Sequence, residues 1–237
     1  MTGRVEGLFD RATWPGRLVA RVVEPGPSPR LHGYAVSTDL ARHCGSSEVS
    51  WLAARGELPS ASEREAFEVA CVLLAPVHVG EAPAHAAVLA RILSTTASAV
   101  VAVASTALAE QAQHERAGLA PLRGWLDRGE GDAPAACLDP DPDAGTLEAH
   151  RWLRAQAVRW FGPSHPLASA PPLRRVALGH ALLHALGFTD DLSVTTVLVT
   201  ARLPVVIAEA SRQREGGVTD YPARLPDYMY VDDEVTS

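Results

Sequence analysis

Between residues 181 and 209 the chain reads ALLHALGFTDDLSVTTVLVTARLPVVIAE, two apolar stretches around a short polar break. Gly187 suits the left-handed position just past a helix C-terminus. Thr189, Asp190 or Asp191 then serves as the cap of the next helix. In the second stretch Leu192, Val194, Val197, Leu198, Ala201, Val205 and Ile207 leave almost no polar face. Such a helix is buried, either in a core or against a partner subunit. This helical hairpin constrains the rest of the chain, which has to supply its cover.

The remaining pattern is mostly helical. Residues 17–24 (RLVARVVE) alternate apolar and polar side chains, and residues 31–35 (LHGYA) give a second strand signal. Pro25, Pro27 and Pro29 forbid regular structure between them, so a small N-terminal β-hairpin is expected. Short helices are predicted over 38–44 and 49–55, the latter stopped by Gly56. An amphipathic helix over 62–75 follows, and an Ala-rich region over 84–112 is weakened at Ser94-Thr95-Thr96. Further helices are predicted over 119–128, over 147–161 with Thr146 as cap, and over the two arms of the hairpin. Residues 129–143 and 162–172 are rich in Pro, Gly and Asp and read as loops. The tail after residue 216 carries Tyr221, Tyr228 and Tyr230, which predicts packing against something. The fold class is mainly α.

Composition removes whole classes of chemistry. All 21 basic residues are arginine. Without lysine there is no Schiff base, no pyridoxal phosphate attachment and no P-loop. The formal net charge of −7 argues against nucleic acid as a partner. Cys44, Cys71 and Cys137 are far apart and lack metal-ligand spacing, as expected of thiols in a reducing cytoplasm. The N-terminal residues lack the apolar core of a signal peptide, and the apolar run at 97–109 is short for a membrane span. A cytoplasmic protein without membrane contact is expected. His180 and His184 share a helical face, but no third ligand accompanies them, so no metal is expected.

Three stretches, in order, resemble the citrate synthase superfamily, especially its citryl-CoA lyase-like branch. Residues 30–60 (RLHGYAVSTDLARHCGSSEVSWLAARGELPS) are similar to that family's opening segment with its "GelPs" end. Residues 73–115 (LLAPVHVGEAPAHAAVLARILSTTASAVVAVASTALAEQAQHE) resemble its DHG and "aR..aST" motifs and the helix leading to HGG. Residues 181–215 resemble its "LGfp…aRlpGwiaH" segment. The resemblance implies a citrate synthase-like multi-helix fold with a small N-terminal β-hairpin and a reduced small domain. The implied domains are a large helical domain from 1–118 and 173–237, interrupted by a small domain or insert at 119–172. It also implies a homodimer and, as an alternative partner, a full-length paralogue.

Family members make or break a carbon–carbon bond between an acyl-CoA methyl group and an oxo acid. A base removes a proton next to the thioester, histidines donate hydrogen bonds to the developing oxyanion, and arginines hold carboxylates. Carried over residue by residue, His78 stands at the DHG histidine, with Val77 and Val79 replacing its neighbours. Arg91 matches the "aR..aST" arginine. His114 stands at the HGG histidine, with Glu115 and Arg116 replacing both glycines. His165, in FGPSHPL, is one counterpart of the family's third histidine, and Arg175 offers an anion contact. The catalytic aspartate is expected within 173–180, LRRVALGH, which holds no carboxylate. The expectation is therefore an enzyme with an altered site. Its catalytic residues would be His78, His114 and His165, and its substrate-binding residues Arg91 and Arg175. It would take a CoA thioester or an acyl or polycarboxylate substrate and need no cofactor. The alternative is a non-catalytic subunit that pairs through the apolar hairpin.

Overall fold

The computed structural model describes residues 19–213 and 216. The predicted tail contact of Tyr221, Tyr228 and Tyr230 lies outside the described residues. The chain folds as two compact units that divide between Pro59 and Ser60.

In the first unit a three-stranded antiparallel sheet runs β1 (Val23–Glu24), β2 (Arg30–Leu31), β3 (Tyr34–Ala35). Residues 31–35 are therefore not one strand. His32 at φ 48° and Gly33 at φ 87° form a two-residue turn that folds them into a hairpin of their own, with Leu31 opposite Tyr34. Consecutive positive φ values match the right-handed twist of the strands on either side. A π-helical turn over Val36–Leu40 leads into α1 (Ala41–His43) and α2 (Ser46–Arg55). The Gly45 N–H donates to the Glu48 carboxylate (2.7 Å), and Gly56 ends α2 at φ 82°.

The second unit is built from helices. Its first is α3 (Ala61–Leu74), opened by a reciprocal capping box between Ser60 and Glu63. Next come α4 (Ala82–Ile92) and α5 (Ala97–Gly118), split at Thr95-Thr96 as the sequence predicts. However, α5 does not stop at residue 112. Gln111, Gln113, Glu115 and Arg116 are good helix formers, and the helix continues to Gly118. Then follow α6 (Ala120–Arg128), α7 (Ala144–Phe161), α8 (Arg175–Ala185) and α9 (Asp191–Ser211). The cap of α7 is Asp143, not Thr146. Its carboxylate accepts the Thr146 N–H (2.7 Å), a better acceptor than the hydroxyl three residues on.

The hairpin of α8 and α9 is central, as its apolarity requires. α9 packs on α3, α4 and α5, and α8 packs on α3 and α6. One cluster joins Ala84 and Ala87 of α4, Val100, Ala104 and Leu108 of α5, and Val206 and Ala210 of α9. The small side chains let these helices approach closely. Where α8 meets α3 a glycine makes the close approach possible. A Cβ on Gly179 would stand 2.5 Å from Leu74 Cγ. Phe67 of α3 stacks on Phe188 in the hairpin turn, with ring centroids 5.4 Å apart.

Candidate functional site

Where α3, α5, α8 and α9 converge, the second unit buries a charged cluster. Arg202 on α9 is only 2% exposed, although it is the one basic residue of that helix. Its two terminal nitrogens donate to the Glu115 carboxylate of α5 at 2.9 and 2.8 Å, a bidentate pair. Its Nε donates to the Leu74 carbonyl at 2.9 Å, satisfying an open carbonyl at the α3 C-terminus. His180 of α8 lies 3.3 Å from the second Glu115 oxygen. Burial would raise the Glu115 pKa, but the hydrogen bonds and charge of His180 and Arg202 outweigh it and hold the carboxyl below its ordinary range.

This cluster continues outward to the loop that carries His78. Arg202 also donates to the Gln111 Oε1 at 3.4 Å, and the Gln111 amide donates to Glu81 at 2.6 Å. Glu81 accepts the His78 backbone N–H at 2.6 Å, while the Glu81 N–H returns to the His78 carbonyl at 2.8 Å. The loop over residues 76–81 is thus tied to the buried arginine through two side chains. At its tip the Gly80 N–H donates to His78 Nδ1 at 3.0 Å. Because Nδ1 is the acceptor, the proton of the neutral ring sits on Nε2. His78 is exposed, so that Nε2–H is a donor offered to solvent or a ligand.

The other predicted residues are placed as follows. Arg175 uses its guanidinium on backbone, donating to the Leu73 carbonyl and, at 3.3 Å, to that of Pro76. It is brought to the same loop as His78 and braces it from below. His114 sits on the exposed side of α5, one residue before Glu115 and in unbroken helix. Arg91 lies half-buried in the last turn of α4. His165 stands apart, as cap of a 3₁₀ turn over Pro166–Ala168, with its Nδ1 accepting the Leu167 N–H at 3.2 Å. Its ring rests on Phe161 with centroids 4.8 Å apart. Burial, aided by the nearby His184, pushes its pKa down. No cluster of three or more metal-ligating side chains occurs among the described residues. Sequence reading missed Arg202 and took His180 for packing. The available signal was a lone arginine in the middle of an otherwise apolar helix.

The architecture is that of a citrate synthase-like protein: a largely helical chain organised around a buried helical hairpin, with a small antiparallel sheet near its N-terminus. Among solved structures it is similar to citryl-CoA lyase from Hydrogenobacter thermophilus, with a TM-score of 0.62 and 16% identity over 91% of this chain and 95% of that one. It is also similar to ATP citrate lyase from Methanothrix soehngenii, solved with citrate and coenzyme A, with a TM-score of 0.57 and 14% identity. That match covers 97% of this chain but only 44% of the larger protein. The sequence matches no protein-family model, and no curated protein is significantly similar to it. The fold expected from the three sequence stretches is therefore the fold the chain has.

Proposed function

We propose that this chain is an enzyme with an altered citrate synthase-like site. It acts on a CoA thioester, or a related acyl or polycarboxylate substrate, by carbon–carbon bond cleavage, formation or enolisation. The observation that carries this reading is the fixed tautomer of His78. The Gly80 N–H on Nδ1 leaves an Nε2–H facing outward, the donor that a polarised carbonyl or an enolate oxygen needs. The Glu81, Gln111 and Arg202 chain holds the loop in place, so the donor is positioned before substrate arrives. The similarity in fold to citryl-CoA lyase and to ATP citrate lyase supports the substrate class. In this reading the protein is cytoplasmic and forms a homodimer. Exposed Val101 and Val103 on α5, with Leu192 and Val205 on α9, support the dimer.

One observation favours a second reading, a non-catalytic subunit of a homodimer or of a full-length paralogue. Glu115 is committed to Arg202 and His180, and the start of α8 holds no carboxylate. His165, like His78, presents an Nε2–H in its neutral form, because its one lone pair, on Nδ1, is taken up by a backbone N–H and is not offered to a substrate as a base. Calorimetric titration of the purified chain with acetyl-CoA and with oxaloacetate, followed by a citryl-CoA cleavage assay, separates the two. The enzyme reading expects binding and a loss of turnover of roughly a hundredfold or more in His78→Ala. His114→Ala and Arg91→Gln in the same assay report whether those side chains reach the substrate. Neither binding nor histidine-dependent turnover would leave the subunit reading.

A further inference from the structure

A concave site lies in the region of α6 and α7, with no residue in common with the His78 loop. It is a groove of about 980 Å³ between the end of α6, the first half of α7 and residues 169–172. This is the size of small-molecule sites. Its apolar surface comes mainly from Leu138, Leu147 and Pro171, with the buried Trp125 behind them.

The walls are tied together by several hydrogen bonds. The Trp125 indole N–H donates to the Gly131 carbonyl at 2.9 Å. The Asp139 N–H donates to the Pro172 carbonyl at 3.0 Å, and the Arg174 N–H to the Cys137 carbonyl at 2.9 Å. His150 is 7% exposed and sits beside the Pro171 carbonyl. Burial pushes the His150 pKa down, which favours its neutral ring.

Two arginines line the groove from consecutive turns of α7. Arg154 uses Nε on the Ala168 carbonyl at 3.1 Å, which fixes the guanidinium plane and leaves its terminal nitrogens. Arg151 is exposed and has no hydrogen bond or ion pair among the described residues. Asp132, also on the groove, has no partner among the described residues either. The groove thus carries two guanidinium groups and one carboxylate.

We infer that this groove binds a small hydroxy- or amino-carboxylate with an apolar body. The carboxylate lies on Arg151 and Arg154, the hydroxyl or ammonium group donates to Asp132, and the apolar body rests on Leu138, Leu147 and Pro171. Two guanidinium groups match a carboxylate through paired N–H donors. The inference goes beyond the proposed activity, since the groove binds its ligand whether or not His78 is catalytic.

The test is calorimetric titration of the full chain with 3-phenyllactate. The controls are 3-phenylpropionate, which lacks the hydroxyl, and 3-phenylpropane-1,2-diol, which lacks the carboxylate. Wild type is expected to prefer phenyllactate over both. Arg151→Gln, with an unchanged circular dichroism spectrum, weakens it by about tenfold, the worth of a charge-assisted hydrogen bond. Asp132→Asn removes the preference for phenyllactate over phenylpropionate, and His78→Ala leaves all three affinities unchanged. The proposal is overturned by no phenyllactate binding up to about 10 mM, by equal affinity in Arg151→Gln, or by a diol that binds as well as the acid.

Discussion

Arg202 and Arg151 are both arginines in the middle of long helices, and they show opposite uses of one side chain. Arg202 is buried, and all three of its guanidinium nitrogens donate, to Leu74, Gln111 and Glu115. Arg151 lies on an open groove and has no partner among the described residues. A charge withdrawn from water has to be fully matched, because an unpaired one costs several kcal/mol. A charge left in water carries no such obligation and remains available to a ligand. The interior cluster is therefore a support for the His78 loop, whereas the groove is a place where recognition is still open.

Removing the buried cation is the strongest way to test that contrast. Arg202→Ala leaves Glu115 half-enclosed beside His180 without its guanidinium partner and orphans the Leu74 carbonyl, so a loss of about 3–5 kcal/mol is expected in urea melts. Arg202→Met together with Glu115→Leu is expected to cost less than Arg202→Ala alone, since no charge is then stranded. If the double variant is the less stable, the cluster contributes more than mutual neutralisation.

Gly179 tests the packing beneath the same cluster. A methyl group there meets the side chain of Leu74, which is fully buried and would have to shift. Gly179→Ala is expected to destabilise by about 1–3 kcal/mol through overpacking. It should also weaken the loop that Leu73, Leu74 and Pro76 carry through Arg175 and Arg202. A neutral or stabilising Gly179→Ala would mean that α3 and α8 separate more easily than their contact implies.

How far each region was legible in the sequence follows from the range of its interactions. The hairpin was legible because apolar density, Gly187 and a cap at Asp190 are all local signals. The split before α5 was legible from Thr95-Thr96 for the same reason. The extension of α5 through His114 was not, since its polar last turns carry no breaker before Gly118. The cluster itself was least legible. Arg202, Glu115, His180 and Gln111 come from three helices, and nothing local to any of them names its partners. The resemblance to a known family gave the fold, and it singled out His78. What lies beneath the His78 loop depends on long-range pairs from α5: Glu115 pairs with Arg202, and Arg116 with Asp191 and the Thr189 carbonyl.

Acidification should separate the two regions by pH. The folded pKa of His165 and of His150 is lowered, chiefly by burial, from an ordinary 6.5. The unfolded chain then binds more protons than the folded one just below pH 6.5, so this contribution to stability is present above that value and lost as pH falls through the folded pKa values. Glu115 has a folded pKa below its ordinary 4.5, and its contribution is lost only as pH falls further. Thermal melts between neutral and strongly acid pH should therefore show two successive declines. His165→Asn should shrink the first and leave the second. A single decline confined to the carboxylate range would mean that neither histidine is buried as a neutral ring.

The smallest expected effect on stability is also the sharpest contrast. Arg151→Gln removes an exposed guanidinium with no partner among the described residues, so its stability should stay within about 0.5 kcal/mol of wild type. Arg202→Ala removes the same chemical group from the interior and should cost several times as much. If Arg151→Gln destabilises comparably, Arg151 has a structural partner, and the groove is not open. If it leaves stability untouched and phenyllactate affinity falls, the guanidinium contributes to recognition alone. Measuring urea midpoints and calorimetric affinities on the same two preparations distinguishes an arginine that holds the fold from one that awaits a ligand.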